Sequence, residues 1–191
     1  MARTEKARFT AADWTGAALA AMARGGVRAV KVEALAAELG ASKGSFYWFF
    51  ANREALVTAA LEQWLRGSTD RVREELEGLA TPEEQLRHLL RTAFAEAPGR
   101  GLEVALQADV DSPEVRGFLA EADRRRVAII RALLVAAGHS AKTADRTALS
   151  GYAAYLGFLQ LQRTDPGLVP SGPARDAYLE SLLHALLPPN R

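Results

Sequence analysis

Apolar side chains recur at three- and four-residue spacing along nearly the whole chain, which predicts an all-α protein of about nine helices. Thr10 can cap a first helix in which Trp14, Ala17, Ala18, Ala21 and Met22 share a face, and Gly25 and Gly26 stop it. Leu35, Ala36 and Leu39 give a second, short helix one narrow apolar face and leave Glu33 and Glu38 in water. Gly40 suits the left-handed residue that closes a helix, and Ser42 is a preferred N-cap for the next. That succession is a helix, a tight turn and another helix.

The helix that follows is unusual. Its first turn is small, polar and basic (Ser42, Lys43, Gly44, Ser45), and it then passes into Phe46, Tyr47, Trp48, Phe49 and Phe50. A first turn of that kind cannot anchor itself in a core, but it can enter a DNA major groove, where N-terminal residues reach base edges. Phe46 and Phe50, four apart, are expected to anchor it beneath Leu35 and Leu39, with Tyr47 and Trp48 pointing elsewhere. Asn52 caps one long helix expected over 52–79, with Arg53 beside its positive end and Gly67 allowing a bend.

Further on, Thr81, Pro82 and Glu84 spell a capping box with proline at the first helical position, opening a helix through Leu86, Leu89, Leu90 and Phe94. Pro98 and two glycines break it. A short successor carries Leu102 and Leu106, and Ser112 and Pro113 open a long helix to Gly138. Its middle holds Arg124, Arg125 and Arg126; consecutive residues point about 100° apart, so a mainly solvated face is expected. The last two helices are apolar nearly all round. In the first, Leu149, Tyr152, Leu156 and Leu159 form one stripe, and Gly151, Tyr155, Phe158 and Leu161 another. In the second, Leu179, Leu183 and Leu186 oppose Tyr178, Leu182 and Ala185. Two stripes need cover on two sides, and a two-fold homodimer supplies it, with the stripes of Gly151 and Tyr178 set at the interface.

The net charge of +1 conceals an asymmetry: residues 1–55 hold eight Lys or Arg against five acids, a net of +3, leaving a body of −2. A basic head on an acidic body suits a phosphate-binding module joined to a separate regulatory one, divided here as 1–52 and 53–191. Arg3, Lys6 and Arg8 read as a basic arm. Cysteine is absent, which excludes disulfides, thiolate metal sites and a cysteine nucleophile. His88, His139 and His184 stand far apart, so no metal and no cofactor is expected. With no leader segment and no apolar run of about 20 residues, a cytoplasmic protein without a membrane partner is expected.

Across 10–57, and above all in GASKGSFYWFFANREAL, the chain resembles the DNA-binding head of tetracycline-repressor-type (TetR-family) regulators. Ala17, Ala18, Gly26, Leu35, Ala36, Gly40, Ser42, Lys43, Gly44, Tyr47, Phe50, Arg53, Glu54 and Leu56 fit that pattern; Lys31, Trp48 and Arg53 stand where Thr or Ser, His and Lys are commoner. The resemblance implies a homodimeric repressor on a palindromic operator of double-stranded DNA. Ser42, Lys43, Gly44 and Ser45 then approach base edges, and Lys31, Tyr47, Trp48 and Arg53 hold phosphates. It also implies release by a small, largely apolar effector, for which Trp64, Leu90, Phe94, Leu106, Phe118, Val127, Tyr152 and Tyr155 are the candidate pocket liners.

An effector-independent regulator or activator of the same fold is the alternative. An enzyme is disfavoured: Glu84 and His88 stand at i, i+4 on one predicted face, and a metal bundle needs two such motifs with further carboxylates.

Overall fold

The computed structural model describes residues 9–95 and 100–188, with the side chain of Arg100 left out. The basic arm of Arg3, Lys6 and Arg8 lies outside the described residues. Among those described there is no strand, and helix follows helix: α1 (Ala11–Gly25), α2 (Val32–Leu39), α3 (Lys43–Phe46), α4 (Arg53–Leu65), α5 (Arg71–Glu77), α6 (Pro82–Phe94), α7 (Arg100–Ala108), α8 (Pro113–Ala136), α9 (Ala141–Thr164) and α10 (Gly172–Leu186). None of these is long and apolar enough to cross a membrane.

Local sequence explains the starts and stops. Thr10 and Asp13 form a capping box at α1, and Thr81 and Glu84 form one at α6, each side chain accepting the other's backbone N–H. Lys31 precedes α2 without any side-chain cap. Gly40 closes α2 in the left-handed conformation (φ 68°, ψ 25°), and the Ala41 N–H reaches back to the Ala36 carbonyl at 2.8 Å. A side chain at Gly40 meets no atom, so the conformation alone selects glycine.

The helix expected over 52–79 is interrupted. α4 ends at Leu65, a π turn spans Arg66–Asp70, and α5 resumes to Glu77. The widened turn holds Thr69 nearly fully buried, and an unbroken 3.6-residue repeat does not provide that placement.

The described residues divide into two compact units. Among the described residues the first takes in 9–65 together with 100–119, and so contains α4, α7 and the start of α8 beside α1, α2 and α3. In it α1 packs on α2, α4 and α7. The centre is Trp14, fully buried, with its ring edge-on to Phe46 at 5.3 Å; Phe46 also stacks on Phe50 at 5.8 Å. The aromatic end of α3 is therefore anchored on α1 through Trp14.

Among the described residues the second unit takes in 66–95 and 120–188. Leu86, Leu90 and Phe94 of α6, Leu134 of α8, Ala144, Ala148 and Phe158 of α9, and Leu179, Leu183 and Leu186 of α10 form its core. Phe94 meets Tyr155, Phe158 and Tyr178 at 5.7, 4.9 and 6.1 Å, all near edge-on. A Cβ on Gly151 lies 3.1 Å from Leu186, so a bare backbone lets α9 and α10 close together there.

This packing corrects the stripe assigned to the dimer. Gly151 and Phe158 are buried in the chain's own core, and Tyr155, Tyr178 and Leu182 pack against it. Of the residues assigned to the interface, Leu161 (42% exposed) and Ala185 face outward. The uncovered line on α9 is instead Leu149 (62% exposed), Ala153, Gly157 and Leu161, four residues apart, and on α10 it is Ala177, Ser181 and Ala185. The register was misjudged because both stripes repeat with the same period.

Candidate nucleic-acid interface

α3 holds four helical residues, and Tyr47, Trp48 and Phe49 continue it as turn. Ser42 caps it, accepting the Ser45 N–H at 3.2 Å, while the Ser45 hydroxyl donates to the Ser42 carbonyl at 2.6 Å. Ser42, Lys43, Gly44, Tyr47 and Trp48 are exposed together, and Ser45 is half-buried. Trp48 is 86% exposed, the most of any large apolar side chain in the described residues. Such a patch beside a fully buried Phe46 presents polar and aromatic groups outward from a fixed base, the arrangement a groove reader needs. Lys31 is exposed on the approach to α2.

Lys43 is held. Its ammonium is 2.5 Å from a carboxylate oxygen of Glu33, in the first turn of α2. The contact lowers the Glu33 pKa, chiefly through the Lys43 hydrogen bond, and raises that of Lys43, chiefly through the Glu33 hydrogen bond.

Arg53 is engaged within the chain. Its guanidinium donates to the Val30 and Val27 carbonyls at 2.9 and 2.8 Å and to the Glu114 carboxylate at 2.8 Å. Asp109, at the end of α7, takes the Val27 N–H at 2.6 Å. The turn between α1 and α2 is thus clamped by one guanidinium and one carboxylate from elsewhere in the unit. These partners lie 23 to 82 positions apart in sequence, so no local pattern signals them. Replacing Arg53 with alanine is expected to cost about 2–3 kcal/mol in denaturant unfolding, since half-buried carbonyls lose a charged donor. Lysine should restore little, because one ammonium cannot reproduce the fork; full restoration by lysine would refute the clamp.

Elsewhere the sequence undervalued one cluster. Arg124 is paired with Glu121 on the surface, as expected of a solvated run, and Arg125 joins Glu121 and Asp70. Arg126 turns inward to the hydroxyls of Thr69 and Ser68, each at 3.3 Å, and of Tyr152 at 3.4 Å. The Tyr152 hydroxyl donates to Asp123 at 2.7 Å, and burial pushes its pKa well up. The π turn brings Ser68 and Thr69 to this cluster, which is why a regular helical reading missed it.

The candidate pocket liners fall in both units: Trp64, Leu106 and Phe118 in the first, and Leu90, Phe94, Val127, Tyr152 and Tyr155 in the second. Phe94 and Leu90 are core side chains, and Tyr155 links Phe94 to Tyr152, its ring 5.9 Å from the latter. Glu84 and His88 do not converge: Glu84 is spent on the α6 cap, and His88 faces Glu75 at 3.5 Å. Among the described residues no three of His, Asp and Glu cluster as a metal ion requires.

Residues 15–60 match the family described as bacterial regulatory proteins, tetR family. No sequence among curated proteins matches the chain significantly. Three solved structures share its fold. A TetR-family regulator from Agrobacterium tumefaciens is 18% identical over 93% of this chain and 97% of its own, with a TM-score of 0.74. The reduced form of NemR from E. coli is 19% identical over 93% and 96%, also at 0.74. FadR from Bacillus subtilis, solved with stearoyl-CoA, is 16% identical over 95% and 100%, at 0.66. Residues 15–60 thus carry the sequence pattern of a tetR-family head, and the chain shares its fold with the TetR-family regulator from Agrobacterium tumefaciens.

Proposed function

We propose that the chain is a cytoplasmic, homodimeric repressor that binds a palindromic operator and leaves it when a small effector enters the second unit. The observation that carries the DNA reading is the outward cluster of Ser42, Lys43, Gly44, Tyr47 and Trp48 on a buried aromatic base. Lys43 and Ser42 face base edges in this reading, and Tyr47, Trp48 and Lys31 face the backbone. Replacing Lys43 and Tyr47 together by alanine should leave the dimer folded by circular dichroism and abolish operator binding in fluorescence anisotropy. Undiminished binding by that variant sinks the assignment.

Two recognition segments must lie about 34–36 Å apart, one turn of DNA, so dimerisation is part of the reading. The uncovered line of Leu149, Ala153, Gly157 and Leu161, with Ala177, Ser181 and Ala185, is the surface offered to the second copy. No atom lies within 4 Å of a Cβ placed on Gly157, so Gly157→Arg fits the single chain and obstructs the pair. The variant is expected to sediment as a folded monomer and to lose affinity roughly 100-fold or more, because the second half-site is no longer delivered at high effective concentration. A dimer that persists unchanged would move the interface elsewhere.

Effector control is supported by the bound stearoyl-CoA of the Bacillus fold relative; in this reading the effector is received among the apolar and aromatic side chains of the second unit, where Val127 and Tyr155 pack against the core that holds Leu90 and Tyr155 meets Tyr152. An effector favours release to the extent that it binds the DNA-incompetent spacing more tightly than the competent one. No catalytic arrangement is part of this proposal.

A further inference from the structure

Lys43 and Glu33 are ten residues apart, on two helices, yet they present one charged pair at the outer edge of the head. Their side chains are 56% and 67% exposed, and the pair flanks exposed Ser42 and Gly44. The other acid on α2, Glu38, is bound to Arg24 of α1 and takes no part.

A neutral pair is a poor phosphate ligand, since the carboxylate cancels what the ammonium gains in the field of the backbone. It is a good match for a base-pair edge that carries an acceptor beside a donor. A G·C pair carries that pattern in the major groove: N7 and O6 of guanine accept, and N4 of cytosine donates. O6 and N4 are hydrogen bonded to each other, so they are separated by about 2.9 Å. The Lys43 ammonium and the Glu33 oxygen stand 2.5 Å apart. Set against that edge, the ammonium donates to O6 or N7 while the carboxylate accepts from N4, and the two hydrogen-bonded pairs close a four-sided array. An A·T edge also sets an acceptor beside a donor, but its donor, N6 of adenine, lies between two acceptors, N7 of adenine and O4 of thymine, so the carboxylate there is repelled by the acceptor that the ammonium leaves uncovered.

We propose that Glu33 is a specificity-determining residue, and that Glu33 and Lys43 act as a unit to select one G·C pair in each operator half-site. This rests on the DNA-binding reading above. Glu33 contributes selectivity rather than affinity: on any sequence that offers its carboxylate no donor, it is a negative charge brought near phosphate without compensation.

The test is selection from a pool of random duplexes with the full-length protein, followed by titration of the selected operator and of all single base-pair changes in it. Glu33→Gln and Glu33→Ala are run beside the unchanged protein, with circular dichroism as the check on folding; both replace an exposed side chain. The unchanged protein should enrich a palindrome with one G·C position that neither variant demands. At that position discrimination should fall about tenfold in both variants, the size of one good base contact. Preferences at the other positions should persist, and binding to random DNA should tighten. The same preference at every position in all three proteins overturns the role of Glu33, and so does an enriched palindrome with no fixed G·C pair. Failure of the unchanged protein to enrich any sequence instead overturns the DNA-binding reading itself.

Discussion

Phe94→Ala is expected to lower the stability of the second unit by about 3–5 kcal/mol, the range for truncating a large buried aromatic. Phe94 is 2% exposed and receives three aromatic rings, from Tyr155 and Phe158 of α9 and Tyr178 of α10. Its removal leaves a cavity and three edge-on contacts unmade at the meeting point of three helices. Urea unfolding followed by far-ultraviolet circular dichroism measures the loss. Phe94→Leu, which retains most of the volume, should cost about 1.5 kcal/mol. A loss below about 1 kcal/mol on truncation to alanine, far short of the cavity range, would show that the ring borders open space and lines a site instead of filling a core.

The second large effect belongs to Gly26. Its backbone (φ 69°, ψ −173°) lies in a region almost confined to glycine, and a Cβ there falls 2.1 Å from an oxygen of Asp109. Gly26→Ala must therefore strain the turn and expel the carboxylate that holds the Val27 N–H. We expect roughly 3 kcal/mol or more of destabilisation, from the strained conformation together with the lost charged hydrogen bond. Adding Asp109→Ala should cost less than its own single effect, because the clash and the lost bond share one partner. Strict additivity of the two changes would show that Asp109 does not clamp the turn.

How much of this was legible in the sequence depended on the distance over which each feature is written. The caps at Thr10, Ser42, Asn52 and Thr81 and the stop at Gly40 are local, each needing two to four residues, and the structure has each where the residues place it. The outward recognition segment was legible too, because a polar turn beside five aromatics has few ways to fold. The clamp made by Arg53 was not legible, because its partners Val27, Val30 and Glu114 come from other elements. The π turn was missed because one widened turn barely perturbs a periodic pattern, yet it sets Ser68 and Thr69 against Arg126. The uncovered face of α9 was misassigned because two stripes of one period are separable only by what already covers them. Gly151 settles that, since Leu186 occupies the place of its missing side chain.

The exposure of Trp48 also makes the molecule its own optical probe. Of the three indoles, Trp14 is fully buried and Trp64 is 7% exposed, so a dissolved quencher such as iodide reaches essentially one fluorophore. The red-shifted, quenchable part of the emission reports on the tip of the recognition segment, and the blue-shifted remainder reports on the interior. Shielding of Trp48 on adding operator can then be followed by light alone, with no label attached to either partner.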